Sequence, residues 1–198
     1  VIAKVDEFAY EKSFLINVGD EKGELLDGAI RRCAPKRLLE LGTYCGYSAL
    51  RTARVMEPSA HLTSIEFNES NAAIARSILA HAGVADRVTV VVGTLGDGKT
   101  PDALEAEHGF GPGALDFVFL DHAKEAYVPD LELIVGRGWL HPGSVVVADN
   151  VKFPGVPGYR ELMAREEGKR WRTTEHEAHA EYQTLLKDLV LESEFLGT

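Results

Sequence analysis

Short, almost continuous apolar runs recur along the chain and alternate with segments of helical pattern. Each run is rich in Val, Ile, Leu and Phe and is bounded by polar or glycine-containing stretches. Runs of this kind are typical of strands that are buried on both faces of a parallel sheet. The five strands predicted in this way are Arg37–Leu41, His61–Phe67, Arg87–Val92, Leu115–Leu120 and Ser144–Ala148.

Amphipathic helical patterns fill the intervals between these strands. In the clearest of them, Glu69–Ala82, apolar positions such as Ala72, Ala75 and Leu79 fall on one helix face, and Gly83 ends the pattern. Repeated strand–helix–strand units predict a doubly wound, mostly parallel α/β sheet with helices on both faces. The other helices predicted between strands are Tyr47–Met56, Asp102–His108 and Tyr127–Val135.

The two ends of the chain differ from this alternation. Residues 1–33 are predicted to form helices, the clearer one starting at about Lys22. Near the C-terminus, Arg170–His176 and Gln183–Val190 are predicted to be strands of an antiparallel hairpin, which brings the sheet to seven strands. The Gly- and Pro-rich segments 109–113 and 154–158 are predicted to be rigid turns or loops. Since nothing resembles a linker, residues 1–198 are interpreted as a single Rossmann-like domain.

The composition of the chain argues against two classes of binding partner. The 198 residues carry a formal net charge of −10 and no Lys/Arg-rich run, which argues against binding to nucleic acid or to anionic membranes. No apolar run approaches the ~18–20 residues of a membrane span. The two cysteines favour free thiols in a reducing compartment. We therefore expect a cytoplasmic protein, a monomer or weak homodimer, although the first residue, Val1, leaves a removed leader open.

A glycine-bearing turn follows the first predicted strand. Ligands of open α/β sheets bind beyond the carboxyl ends of the strands, so Gly42 and Gly46 stand where a backbone can approach a ligand closely. Glu66, at the end of the next strand, can accept hydrogen bonds from both hydroxyls of a ribose. A dinucleotide site would have a third glycine where this chain has the bulky Tyr44. The pattern favours an adenosyl ligand without phosphates.

Oxygen-bearing side chains follow two further strands of the predicted sheet. Asp121 comes directly after the fourth strand, and Asp149 and Asn150 follow the fifth. Two carboxylates and one amide oxygen suit Mg²⁺, whereas a single Asp in such a place more often caps a helix or turn. Lys124 is expected on the rim of the same cleft, where a nearby cation would favour its neutral form and let it act as a general base.

A second motif offers an alternative. Residues 93–100 satisfy the phosphate-binding pattern G-x-x-x-x-G-K-[ST], and Asp121 ends an apolar strand as in a P-loop nucleotide triphosphatase. Against this interpretation, Pro101 lacks the N–H that the first helical turn would offer to a phosphate. The following helix is short, and the Gly42 turn and Glu66 would be left without a role. The triphosphatase remains the less favoured alternative.

Taken together, these segments resemble the catechol O-methyltransferase family, which is magnesium-dependent and uses S-adenosylmethionine (SAM). The resemblance is collinear from about Phe14 to the C-terminus. The matching segments are Asn17-Val18-Gly19-Asp20 with Lys22-Gly23, Glu40–Ser48, Phe119-Leu120-Asp121-His122 with Lys124, Ala148-Asp149-Asn150-Val151, Pro154-Gly155 and Glu181-Tyr182.

The resemblance implies a role for each matching position. Mg²⁺ would be held by Asp121, Asp149 and Asn150, and Lys124 would be the general base. Glu181 would fix the second hydroxyl of the acceptor, with Pro154 in the wall of its pocket. The residues implied around SAM are Val18, Glu40, Gly42, Tyr44, Ser48, Glu66, Asp121 and His122. The N-terminal helices would cover this donor site.

The chain also departs from the family pattern. Phe14 and Ala123 stand where the family usually has Trp, and Leu95-Gly96 replaces a Ser-Gln pair near the adenine. The loss of an aromatic wall at Ala123 favours a wider acceptor pocket. The expected reaction is methylation of one hydroxyl of a Mg²⁺-chelated catechol. Another phenolic or hydroxylated small molecule is an alternative acceptor, and binding of SAM without catalysis is a second alternative.

Overall fold

The computed structural model describes residues 1–183 and 185–197 and contains one seven-stranded sheet. Its strand order is β3-β2-β1-β4-β5-β7-β6; β1 to β5 are parallel, and β7 runs antiparallel to both β5 and β6. The predicted fold class, including the C-terminal hairpin, is confirmed. The strands are β1 Arg37–Leu41, β2 His61–Glu66, β3 Val88–Val92, β4 Leu115–Leu120, β5 Leu140–Ala148, β6 Trp171–His179 and β7 Lys187–Phe195.

Helices cover both faces of the sheet. Along β4, Phe117 and Phe119 pack among α2, α3 and α4, whereas Val118 and Leu120 pack among α5, α6 and α7. Successive side chains of a strand point to opposite faces, so the apolar run Phe117–Leu120 of β4 is explained by burial on both sides. The helices are α1 Ile2–Glu11, α2 Gly19–Cys33, α3 Tyr47–Val55, α4 Glu69–His81, α5 Thr100–His108, α6 Tyr127–Gly136 and α7 Pro157–Glu166.

The strand order reverses between β1 and β4. The chain proceeds outward from β1 through β2 to β3, then returns to place β4 on the other side of β1. At such a switch point the loops after the two central strands diverge and leave a crevice beyond their carboxyl ends. The loops after Leu41 and Leu120 therefore border a preformed space, and the predicted site residues belong to these loops.

The structure corrects two predictions of local structure. Strand β5 begins at Leu140 rather than Ser144. Segment 154–158, which was predicted to be a rigid turn or loop, is partly helical, because Pro157 occupies the first turn of α7, where its missing N–H costs nothing. An irregular helical turn, Val151–Gly155, precedes it.

The hairpin strands lie further along the chain than predicted. Gln183 belongs to the connection, where its side-chain amide donates to Ala180 O and Leu186 O and accepts from two backbone N–H groups. The side chain thus substitutes for strand pairing at this point. Thr184, which the predicted strand Gln183–Val190 includes, lies outside the described residues.

Candidate functional site

A cavity of about 940 Å³ opens at the carboxyl ends of the central strands. Its walls include the loops after each of strands β1 to β5, the segment just before α2 and the hairpin connection. Ten of the twelve predicted site residues line it; Glu40 and Asp149 lie behind its surface. The lining residues among them are Val18, Gly42, Tyr44, Ser48, Glu66, Asp121, His122, Lys124, Asn150 and Glu181, together with Pro154.

Gly42 permits the close approach of two neighbouring loops. It has φ +99°, and a Cβ at this position would lie 2.7 Å from the carbonyl carbon of Asp121 and nearer still to its oxygen. Gly46, with φ +85°, faces Ala75 of α4 in a similar way. The glycines were predicted to let the backbone approach a ligand closely, and Gly42 does border the cavity. The structure adds that protein atoms occupy the space where a Cβ of either glycine would lie.

Glu66 closes the turn from the side of β2. Its Oε2 accepts a hydrogen bond from Tyr44 N at 2.7 Å, and its Oε1 accepts one from Asn68 N at 2.9 Å. The carboxylate is 3 % exposed and borders the cavity. Each oxygen keeps a lone pair because a carboxylate can accept about four hydrogen bonds. Glu66 is thus fixed in place and still able to accept two vicinal hydroxyls.

Glu40 lies beneath the glycine turn, 1 % exposed. Ser64 Oγ donates to its Oε1 at 2.6 Å, while its Oε2 has no hydrogen-bond partner among the described residues. Burial raises the pKa of Glu40 to about 8, although Ser64 and Ser48 oppose the rise. Burial thus favours the neutral form of Glu40.

This buried carboxyl predicts a pH dependence of stability. The folded-state pKa is above the unfolded-state value, so the folded chain binds more protons between the two pKa values. Stability then falls as pH rises from about 4.5 to about 8. Between pH 5 and pH 8, the free energy of unfolding should fall by about 3 kcal/mol less in Glu40→Gln than in the wild type. Urea unfolding without ligands measures this difference. Parallel stability profiles for the two proteins would contradict this assignment.

Lys124 is held at the end of β4 by a short chain of hydrogen bonds. Its Nζ donates to Asp121 Oδ1 at 3.1 Å and to the Tyr127 hydroxyl at 2.8 Å. That hydroxyl lies 2.9 Å from Leu120 O and 3.1 Å from Asp149 O, so Tyr127 links the ends of β4 and β5. The Lys124 side chain keeps 23 % of its surface exposed. The amine is fixed but accessible from the cavity.

His122 lies beside this group, stacked on the Tyr127 ring with ring centroids 4.9 Å apart. Its Nε2 lies 3.0 Å from Asp130 Oδ2, which requires Nε2 to be the donor. Its buried Nδ1 has no partner among the described residues. The histidine thus brings one unused ring nitrogen to the side of the cavity that includes Ala123 and Pro129.

Asp149 is fully buried, and its two oxygens differ. Its Oδ1 lies 2.9 Å from Lys22 Nζ and accepts from Asn150 N at 2.7 Å, whereas Oδ2 has no partner among the described residues. Burial raises the pKa of Asp149 to about 7, and Lys22 opposes that rise. Burial also raises the pKa of Asp121, against the opposing charge of Lys124.

Asn150 presents an amide oxygen next to these carboxylates. Its Nδ2 lies 2.7 Å from Glu181 Oε1 and 3.1 Å from Asp188 Oδ2. Since both neighbours are acceptors, the nitrogen must face them, which leaves the Asn150 Oδ1 for another partner. Its backbone has φ 56°, a strained value that recurs at Tyr44 and Tyr182 beside the cavity.

The residues fit the implied divalent ion in their chemistry. Among residues 1–183 and 185–197, no cluster of three or more His, Cys, Asp and Glu side chains is arranged to hold a metal. The predicted set differs in kind, because it combines two carboxylates with an amide. The buried, unpartnered Oδ2 of Asp149 is the observation that favours a cation, since a buried oxygen without a partner is costly.

Two functional candidates were missed by the sequence analysis. Lys22 is 1 % exposed and contacts Asp149, Glu181 and Asp188, the last also 1 % exposed. A sequence signal for Lys22 existed: it precedes Leu26 by four positions and Ala29 by seven, so it lies on the apolar face of α2. The sequence signal for Asp188 is weaker: it is a lone acidic residue at the start of the apolar run 189–191.

The phosphate-binding motif at residues 93–100 has a different use. The Asp97 carboxylate accepts hydrogen bonds from the backbone N–H groups of Thr94, Lys99 and Thr100. Donors that a P-loop offers to a phosphate are therefore taken by an acid of the chain. Gly93, Thr94 and Leu95-Gly96 line the cavity instead. The P-loop interpretation is wrong.

The departures from the family pattern also have places in the structure. Ala123 and Leu95-Gly96 border the cavity, and Phe14 is largely exposed, outside its lining. No helix in the described part of the chain has the length and apolar content needed to cross a membrane.

Comparisons with known proteins agree with this architecture. A probable O-methyltransferase of Mycobacterium tuberculosis is 65 % identical over 198 residues, which span all of this chain and 84 % of that protein. Catechol O-methyltransferase B of Danio rerio is 42 % identical over 199 residues, spanning all of this chain and 72 % of that protein. The crystal structure of the O-methyltransferase TomG from Streptomyces achromogenes, in complex with SAM, has a TM-score of 0.77 at 28 % identity, covering 99 % of this chain and 89 % of that one.

The family model described as O-methyltransferase matches residues 1–168, which is most of the chain. The match spans the glycine turn, the Asp121–Lys124 segment and Asp149-Asn150, and it stops before the hairpin that carries Glu181. The chain belongs to the O-methyltransferase family.

Proposed function

We propose that this protein transfers the methyl group of SAM to one hydroxyl of a catechol or catechol-like diol, with Mg²⁺ as the cofactor. The observation that carries the proposal is the grouping of Asp121, Asn150, Lys124 and Glu181 at one end of the cavity, with Asp149 directly behind. A protein that only binds SAM has no use for a fixed amine beside these oxygen ligands.

The donor half of the proposal rests on the glycine turn and Glu66. The two Glu66 oxygens are held by backbone amides, and their free lone pairs suit the vicinal hydroxyls of a ribose. A cavity of about 940 Å³ has room for SAM and a small aromatic acceptor together. TomG, which shares the fold, was determined with SAM bound.

Asp121, Asp149 and Asn150 would hold the metal through side-chain oxygens. When bound, Mg²⁺ would supply positive charge that favours the ionised form of an acceptor hydroxyl. Glu181 would hold the neighbouring hydroxyl: its Oε1 is engaged by Lys22 and Asn150, which leaves Oε2 to accept a hydrogen bond. Burial opposes ionisation of Glu181, but Lys22 outweighs burial and keeps the pKa of Glu181 below its ordinary value.

Lys124 would accept the proton of the reacting hydroxyl at Nζ. The resulting phenolate oxygen forms a bond to the methyl carbon while the sulfur–methyl bond breaks, and the electron pair of that bond stays on sulfur. SAM thereby loses its positive charge and leaves as a neutral thioether. Orientation of the two reactants can contribute about 7–11 kcal/mol to such a transfer. Tyr127 and Asp121 fix the position from which Lys124 acts.

A different phenolic acceptor is the second candidate. Ala123, together with Ala126 and Pro129, gives the cavity a small-residue wall. That wall favours acceptors broader than a simple catechol, and it does not select for a diol.

The test compares catechol with phenol as acceptor, each in excess Mg²⁺ and in excess EDTA, with products quantified by mass spectrometry. We expect catechol to give its monomethyl ether and S-adenosylhomocysteine in equal amounts, with at least about a 100-fold loss in EDTA. Undiminished turnover in EDTA would remove the metal from the mechanism. Faster methylation of phenol than of catechol would favour the second candidate.

A further inference from the structure

Lys22 is a buried lysine without an assigned role. Its ammonium lies 2.7 Å from Glu181 Oε1, 2.9 Å from Asp149 Oδ1 and 3.1 Å from Asp188 Oδ2. A fully buried lysine is rare unless it is paired, and this one faces three carboxylates. A lysine paired in this way keeps its ordinary positive charge, so a buried cation lies behind the cavity.

The three carboxylates divide their oxygens between Lys22 and other partners. Both oxygens of Asp188 have hydrogen-bond donors. Its Oδ2 accepts from Lys22, and its Oδ1 accepts from the backbone N–H groups of Lys152, Phe153 and Leu189. Asp149 and Glu181 each turn one oxygen to Lys22. Among the described residues the Oδ2 of Asp149 has no hydrogen-bond partner, and the proposed function gives a role to this oxygen and to the Oε2 of Glu181.

We infer that Lys22 is a positioning residue that orients Asp149 and Glu181 and at the same time weakens divalent-ion binding at Asp149. The inference rests on the proposed function. An ammonium 2.9 Å from one oxygen of Asp149 repels a cation that approaches the other oxygen of the same carboxylate. In a buried setting this repulsion is little screened by solvent. Lys22 thus keeps the bound ion exchangeable while it aims Glu181 at the acceptor.

The test replaces Lys22 by methionine, which keeps the length of the side chain and removes its charge. The readouts are the dissociation constant of Mn²⁺, followed by electron paramagnetic resonance of the free ion, and the KM and kcat for catechol at saturating metal. We expect Mn²⁺ to bind about tenfold or more tightly to Lys22→Met than to wild type. We also expect KM for catechol to rise by a larger factor than kcat falls, because Glu181 loses one of its two anchors.

Lys152→Met is the matched control. Lys152 is exposed and lies two residues from Asn150, so solvent screens its charge. Its Mn²⁺ dissociation constant should stay within about twofold of wild type. An equal tightening in both variants would overturn the inference, because a general change of surface charge would then explain the effect.

The remaining outcomes separate this inference from the proposed function. Folded Lys22→Met with unchanged or weaker Mn²⁺ binding overturns the inference and leaves the proposed function intact. If neither the wild type nor the variant binds Mn²⁺, both the proposed metal cofactor and the inference about Lys22 are wrong. If the variant unfolds in EDTA, excess Mn²⁺ should restore the native circular dichroism spectrum, because the ion then neutralises the buried carboxylates. Failure to restore it contradicts the inference.

Discussion

Replacing Lys124 by methionine is expected to lower kcat for catechol by about 100-fold or more, because the variant lacks the amine that we propose as the acceptor of the hydroxyl proton. Methionine retains an aliphatic side chain against the Tyr127 ring, over which Lys124 Nζ lies at 4.9 Å. The affinity for SAM should change by less than about threefold, since the proton is transferred only in the chemical step. Steady-state kinetics and calorimetric titration with SAM measure the two quantities.

Lys99→Met provides the matched control. Lys99 is exposed and occupies the lysine position of the phosphate-binding motif. The present account gives it no part in the reaction, so its kcat should equal that of wild type. Equal losses of turnover and SAM affinity in Lys124→Met would show that Lys124 maintains the structure of the donor site rather than accepting a proton.

Substituting Gly42 by alanine is expected to destabilise the fold by about 3 kcal/mol or more and to displace Asp121. The positive φ of +99° disfavours any side chain, and the new Cβ would meet the carbonyl group of Asp121. Because Asp121 anchors Lys124 and belongs to the proposed metal set, catalysis should fail even where the fold survives. Urea unfolding and turnover at a temperature below the transition measure both effects.

Gly83→Ala separates the two causes. Gly83 also has a positive φ, +74°, yet a Cβ there would meet no atom within 4 Å. The control therefore carries backbone strain without a clash and should cost about 1 kcal/mol. Equal stability and equal activity of Gly42→Ala and Gly83→Ala would show that the close contact between the β1 and β4 loops contributes to neither property.

Much of the fold could be predicted from the alternation of apolar runs and helical patterns along the chain. The apolar run Phe117–Leu120 of β4 predicted burial on both faces, and its alternate side chains pack against different sets of helices. Strand ends then predicted the site, because parallel strands bring their carboxyl ends to one edge of a sheet. Asp121 and Asn150, far apart in sequence, accordingly line one cavity.

Other features depend on contacts that local patterns do not contain. Lys22 and Asp188 are 166 positions apart, and nothing near either residue predicts the pair. The contact of Gly42 with Asp121 could not be predicted for the same reason, since Asp121 belongs to the loop after another strand. The second hairpin strand begins later than predicted because the side chain of Gln183, rather than a neighbouring strand, forms hydrogen bonds with the backbone of the connection.

The central claim is that Asp121, Asp149 and Asn150 jointly hold one divalent ion beside Lys124. Anomalous diffraction at the manganese edge, from crystals grown with Mn²⁺ and S-adenosylhomocysteine, tests it most directly. We expect a single strong peak in the cavity, bonded to a side-chain oxygen of each of the three residues. A peak bonded to other residues, or no peak at saturating Mn²⁺, would contradict it.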